Sequence, residues 1–154
     1  MIDLLNLMAF HAAYAETIDS DRLEQWPDFF APDAHYRITH VENEQQGLPA
    51  GIVWADSRAM LEDRVAALRE ANIYERQAYR HVVGLPSLDA GTDGAVHAET
   101  PFLVVRVMRD GSMDLFATGR YVDLMVEEGG TLRFRERVVV CDSSRVDTLL
   151  AIPL

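Results

Sequence analysis

No lysine occurs among the 154 residues; the fourteen cationic side chains are all arginines, set against 25 carboxylates for a net charge of −11. The basic footprint that nucleic acid binding needs is therefore missing. The arginine bias has two readings. One is coding in a GC-rich genome; the other is a preference for the bidentate, interface-tolerant ion pairs that guanidinium makes. Cysteine is almost absent as well. Cys141 stands alone, so the chain forms no internal disulfide, which suits a reducing compartment. A lone thiol also excludes a Rieske cluster or a cysteine zinc site made by this chain by itself. No run of eighteen apolar residues exists, and a membrane-spanning helix needs one. Arg22 is the first cationic residue, whereas a secretory signal opens on positive charge, so the expected location is the cytoplasm.

What is present is ordinary for a soluble globular protein: 49% apolar residues and 25% charged ones. The length suits a single domain over residues 1–154 with a sizeable core. Residues 3–18 read as an amphipathic helix, with Leu4, Leu7, Met8, His11, Ala12 and Ala15 at helical spacing. Asp19, Ser20 and Asp21 offer an N-cap for a short second helix, RLEQW. Residues 34–42 read as a strand and 43–51 as a loop. Asp56 or Ser57 caps a third helix reaching about Asn72, with Met60, Leu61, Arg64, Val65 and Leu68 along one side. From Tyr79 onward the pattern is strand, over 79–88, 95–109, 113–127 and 131–142. Asp110-Gly111 and Gly129-Gly130 mark hairpin turns between the last three. Helices followed by a long antiparallel meander predict an α+β domain. The helices then pack into the concave face of a strongly curved sheet, the cone shared by nuclear-transport-factor-like and cystatin-like folds. The fold by itself assigns no function.

The stretch "DAHYRITH", residues 33–40, carries two histidines and a carboxylate. That is one way a two-histidine, one-carboxylate iron site begins. The spacing argues against it. His35 and His40 are five apart, and on a strand an odd separation sends side chains to opposite faces. Tyr36, Ile38, Thr39 and Val41 favour strand here. His81, at a strand opening with Arg80, offers acid–base chemistry if Asp19, Asp21 or Asp33 is brought to it. The bland reading is a hydrogen-bonded structural histidine. Cys141 sits in an apolar strand, VVVCD, with nothing nearby in sequence to activate it.

Arg133, Arg135 and Arg137 alternate with Leu132, Phe134, Glu136 and Val138, which puts three guanidinium groups on one face of a strand. That face is either solvated or a subunit interface, since it cannot be an unpaired core. The apolar tail TLLAIPL is expected to dock on its own sheet or on a neighbouring subunit. Candidate interface residues are therefore Arg133, Arg135, Arg137, Leu150 and Leu154. No catalytic, cofactor-binding or metal-ligating residue is assigned.

Taken in order, "DSDRLEQWPDFFAPDAHYRI", "DSRAMLEDRVAALR", "YRHVVG" and "RERVVVCDSSRVDTLLAIPL" resemble the small, or beta, subunit of aromatic-ring-hydroxylating dioxygenases over nearly the whole chain. Within that family "TIDSD", "EQWPDFF", "GIVWADS", "ALREANIYER" and "GLPS" are most similar to members whose assemblies act on a benzene-dicarboxylate. The resemblance implies a division of labour. A larger alpha subunit would carry a Rieske [2Fe–2S] centre and a mononuclear iron, and this chain neither. It would build the trimeric base of an α3β3 assembly, a non-catalytic part of an oxidoreductase supplied with electrons from NAD(P)H by a reductase. The competing expectation is a stand-alone isomerase or dehydratase with a cone pocket and His81 as acid–base. A cone interior filled by side chains would defeat it.

Overall fold

The computed structural model describes residues 2–47, 53–71, 77–145 and 152–154. Helix α1 (Leu4–Asp19) starts where the Asp3 carboxylate accepts the Asn6 N–H at 2.8 Å, satisfying a donor the helix itself leaves free. Its buried face is Leu7, His11, Tyr14, Ala15 and Ile18, while Leu4 and Met8 stay exposed. The face is thus rotated from the expected stripe, because the bulky Tyr14 and Ile18 are the side chains that fill the space under the sheet. Asp21 takes a left-handed φ of 59° and turns the chain into a 3₁₀ helix, Leu23–Phe29. This replaces the expected short α-helix. No side chain caps it at Arg22, and Pro27 inside it lacks an N–H.

Strand β1 (Phe30–His40) begins earlier than expected and runs into a short helix, α2 (Val41–Gln45), where a loop was expected. A three-residue strand, β2 (Val53–Ala55), follows. Helix α3 (Arg58–Ala71) opens with Ser57 Oγ accepting the Met60 N–H at 3.2 Å and buries Leu61 and Val65. The expected strand 79–88 is two pieces, β3 (Gln77–Val83) and β4 (Ser87–Ala90). The meander continues as β5 (Val96–Met108), β6 (Met113–Glu128) and β7 (Thr131–Cys141). Its turns use Gly111, Gly129 and Gly130 at positive φ, the conformation that tight turns demand and glycine supplies.

The sheet order is β2-β1-β7-β6-β5-β3, with β4 also paired to β5. All pairings are antiparallel except β1 with β7, which run parallel. The sheet is open and curved. Its concave face is covered by α1 and the 3₁₀ helix, α3 packing against the latter and against β1. Phe30, Tyr36, Tyr121 and Phe134 interlock there with Tyr14 and Trp26. The α+β cone expected from the element order is what the chain forms.

One irregularity resets which residues face inward. Leu124 pairs with Glu136 but Met125 pairs with Phe134, so β7 carries one extra residue. Such a bulge breaks the period of two. Phe134 and Arg137, three apart, both become buried, while Arg135 and Glu136 are both exposed.

Gly119 on β6 sits where an added Cβ would overlap the main-chain oxygen of Val140, with the Cα of Cys141 at 3.0 Å. Backbone cannot swing aside as a side chain can. Gly119→Ala is expected to lower unfolding free energy by about 1–3 kcal/mol, read as a lower urea midpoint with an unchanged slope.

Candidate functional site

The expected single arginine face does not exist, and the bulge is the reason. Arg137 is wholly buried and points into the cone. Arg135 is exposed, and Arg133 is half-buried with Nη1 donating to its neighbour Leu132 O at 3.1 Å. Leu154 is also wholly buried, inside its own chain, and Leu150 lies outside the described residues. Of the five candidate interface residues, Arg137 and Leu154 are therefore internal.

Arg137 is the hub of the interior. Its Nε and Nη2 each donate to the Asp123 carboxylate at 2.8 Å. Its guanidinium carbon lies 3.7 Å from the Tyr121 ring centroid, 4.0 Å from Phe134 and 4.5 Å from Tyr14. A buried charge is tolerated only when paired and well bonded, and π faces supply further attraction. Burial works against the charge on Arg137, but the Asp123 carboxylate outweighs it and holds the guanidinium above its ordinary range. Burial likewise pushes the Asp123 carboxyl up, against the pull of Arg137.

Arg137 Nη2 also lies 3.0 Å from His11 Nδ1. A guanidinium only donates, so Nδ1 holds the lone pair. The ring proton is then on Nε2, donating to Thr100 Oγ1 at 3.2 Å. Burial, followed by the Arg137 charge, pulls the His11 pKa down to about 2. His11 is thus a neutral structural link between α1, β5 and β7.

Two further elements meet above this hub. The Tyr14 hydroxyl accepts the Trp26 Nε1 proton at 3.0 Å and donates to the Leu154 main-chain oxygen at 2.8 Å; the Tyr36 hydroxyl donates to the same oxygen at 2.9 Å. Burial raises the pKa of both hydroxyls, keeping them protonated donors. The interior of the cone is therefore filled by aromatic rings, one ion pair and residues Ile152–Leu154.

His81 does find a carboxylate, and it is Asp19. His81 Nδ1 is 2.6 Å from Asp19 Oδ1, and the His81 backbone N–H donates to Asp19 Oδ2 at 2.8 Å. Asp21 pairs instead with Arg69, and Asp33 is exposed. The pair ties the end of α1 to β3. A cleft of about 540 Å³ lies between those elements, yet the His81 side chain has no exposed surface. The interior of the cone is filled by packed side chains, the outcome that defeats the stand-alone isomerase or dehydratase reading. Cys141 is buried, and burial with the Asp142 charge pushes its thiol up to about 12, the opposite of activation. "DAHYRITH" is strand. His35 is exposed beside Asp56 at 3.2 Å, and His40 shares the opposite row with Tyr36 and Ile38. Among the described residues no three His, Cys, Asp or Glu side chains are grouped to hold a metal.

The convex face is different in kind. On β5 its positions are Pro101, Leu103, Val105 and Val107. Val82 on β3 pairs with Leu103; Leu115 and Met113 on β6 pair with Val105 and Val107. Val82, Leu115 and Met113 are 53, 63 and 72% exposed. An antiparallel sheet with one wet face carries polar residues there. Here apolar side chains gather across three strands, with Arg80 opposite Val105 and Thr118 opposite Leu103 among them, and such exposed apolar surface is the mark of a face that meets a partner. The patch went unread in the sequence, although its signal is there: "PFLVVRVM" (101–108) is apolar at every position but Arg106 rather than alternating, as in strands covered on both faces.

Residues 13–148 match the family described as ring hydroxylating beta subunit. The chain belongs to that family. Its likeness extends beyond the matched span. Subunit beta 1 of the terminal oxygenase component of terephthalate 1,2-dioxygenase from Comamonas sp is 55% identical, over 100% of both chains. The anthranilate 1,2-dioxygenase small subunit from Burkholderia cepacia is 41% identical over 92% of this chain and 88% of its own. A crystal structure of a beta subunit assigned to an aromatic-ring-hydroxylating dioxygenase of Novosphingobium aromaticivorans superposes with a TM-score of 0.90. It is 38% identical and covers 98% of this chain and 96% of its own. The chain is thus a beta-type subunit of an oxidoreductase complex.

Two expectations follow from the hub. Arg137→Met leaves the Asp123 carboxylate buried and unpaired, and should lower unfolding free energy by about 3–5 kcal/mol. The double variant Asp123→Leu/Arg137→Met should recover a large part of that loss, read by equilibrium urea unfolding. His11 binds a proton in the unfolded chain near pH 6.5 but not in the folded one until about pH 2. It therefore stabilises the fold fully above pH 6.5 and progressively less as pH falls. His11→Gln should flatten the decline of stability between pH 6 and pH 5, by up to about 1.4 kcal/mol per pH unit.

Proposed function

We propose that this chain is the small subunit of a terephthalate 1,2-dioxygenase terminal oxygenase. The observation that carries the reading is 55% identity over the full length of both chains to subunits so named. In this reading the large subunit holds the Rieske [2Fe–2S] centre and the mononuclear iron, and three copies of each chain form an α3β3 assembly. A reductase delivers two electrons from NAD(P)H, and both atoms of O2 are added to a ring carbon pair, giving a cis-dihydrodiol of the dicarboxylate. This chain touches neither the ring nor the iron. It works in the cytoplasm, as one domain, holding the large subunits at fixed spacing.

Its own contribution is the rigid cone and the outer patch of Val82, Leu103, Val105, Val107, Met113 and Leu115. Removing such a patch from water by subunit contact is favourable at about 25 cal/mol per Å² of apolar surface. We assign the exposed Arg135, with Arg133, to the polar rim of the contacts between subunits, where arginine is enriched.

Co-expression with the large subunit tests the reading. Affinity purification of this chain should bring down one large complex with all iron in the bigger polypeptide, active on terephthalate. Leu103→Glu/Val105→Glu should abolish the complex while leaving the near-UV circular dichroism of the isolated chain unchanged. Iron bound by this chain alone, or an intact complex in the double variant, would refute the reading or the placement of the contact, respectively.

A further inference from the structure

We propose that the inside of the cone is a binding site which the chain fills itself, with Ile152–Leu154 as an intramolecular ligand. The occupant's class follows: a short apolar peptide presenting a leucine-sized side chain beside a main-chain oxygen.

The site is built from separate elements that converge on one atom. Tyr14 comes from α1 and Tyr36 from β1, and their hydroxyls reach the Leu154 oxygen at 2.8 and 2.9 Å. Trp26, from the 3₁₀ helix, donates to the Tyr14 hydroxyl at 3.0 Å and so fixes which way that hydroxyl points. With its own acceptor lone pair engaged by Trp26, the Tyr14 proton is directed at Leu154. Tyr14, Trp26 and Tyr36 are at most 1% exposed. Leu154 itself is wholly buried and Ile152 is 7% exposed.

Without the tail, two buried hydroxyl donors would lose the acceptor they point to. Leaving such groups unsatisfied is more costly than never having them. Phenylalanine would fill the same volume at positions 14 and 36 with no such requirement. The hydroxyls thus make sense as recognition groups for an oxygen that arrives from far along the chain, 140 residues from Tyr14 and 118 from Tyr36. That is the composition of a small-molecule site, a mostly apolar cavity with a few convergent polar groups. Here the occupant is covalently attached, which raises its effective concentration.

The test removes the ligand and returns it free. In the purified protein, deletion of residues 152–154 should lower Tm on the order of 10 °C, as loss of a buried leucine in a domain of this size does. The free tripeptide Ile-Pro-Leu should restore part of that loss saturably, and leave the Tm of the intact chain unchanged. Tyr14→Phe/Tyr36→Phe in the deleted protein should weaken the peptide about tenfold, by loss of two hydrogen bonds. No rise in Tm with peptide, or an equal rise in the intact chain, overturns the proposal. A second measurement covers a deletion that does not fold. Leu154→Cys in the full chain should react slowly with a thiol reagent, Cys141 being buried. Adding Tyr14→Phe/Tyr36→Phe should speed that labelling about tenfold. An unchanged rate overturns the proposal.

Discussion

The Arg137–Asp123 pair is the constraint around which the interior is arranged. Two bonds of 2.8 Å join β7 to β6 across the middle of the sheet, and a third polar contact reaches α1 through His11. Three aromatic rings then close around the guanidinium. A dehydrated ion pair is weak evidence for stability, because desolvation offsets the attraction. What it enforces is geometry. The aromatic side chains have one arrangement in which the charge is both paired and covered, and that arrangement seats α1, fixes the His11 tautomer and positions Tyr14 toward the tail.

The two faces of the sheet divide the work. Inside, His81 is held against Asp19, His11 is kept neutral, and Cys141 is buried. Outside, Val82, Met113 and Leu115 stay largely exposed beside Leu103, Val105 and Val107, where a solvated sheet would carry mostly polar side chains. Family membership makes the chain one subunit of a multi-subunit oxygenase.

Much of the architecture was legible in the sequence because local signals were strong. Ser57 caps a helix at an expected place, and the glycines at 111, 129 and 130 mark the turns. The strand reading of "DAHYRITH" rested on the strand preference of Tyr36, Ile38, Thr39 and Val41, and on a strand the odd spacing of His35 and His40 sends them to opposite faces. What the sequence concealed depended on events between strands. The bulge at Arg135 is a property of the β6–β7 register and not of either strand. A strict period of two therefore placed Arg137 on a polar face instead of in the core. The rotated face of α1 was hidden for a similar reason, since its partners come from distant strands. Asp19 meeting His81 spans 62 residues, and no local pattern distinguished it from Asp21 or Asp33.

The strand order carries a consequence for how the protein is made. Among the described residues β7 is the last strand, yet it lies between β1, the first, and β6. Until it leaves the ribosome, β1 has no parallel neighbour and the sheet is split in two. Asp123 waits without its cation, and the aromatic residues of α1, the 3₁₀ helix and β1 stay uncovered. Pairings so distant in sequence are slow to form, and transiently exposed apolar surface invites aggregation. In this strand order the pairing of β7 with β1 and β6 joins the two halves of the sheet and covers that apolar surface in one step.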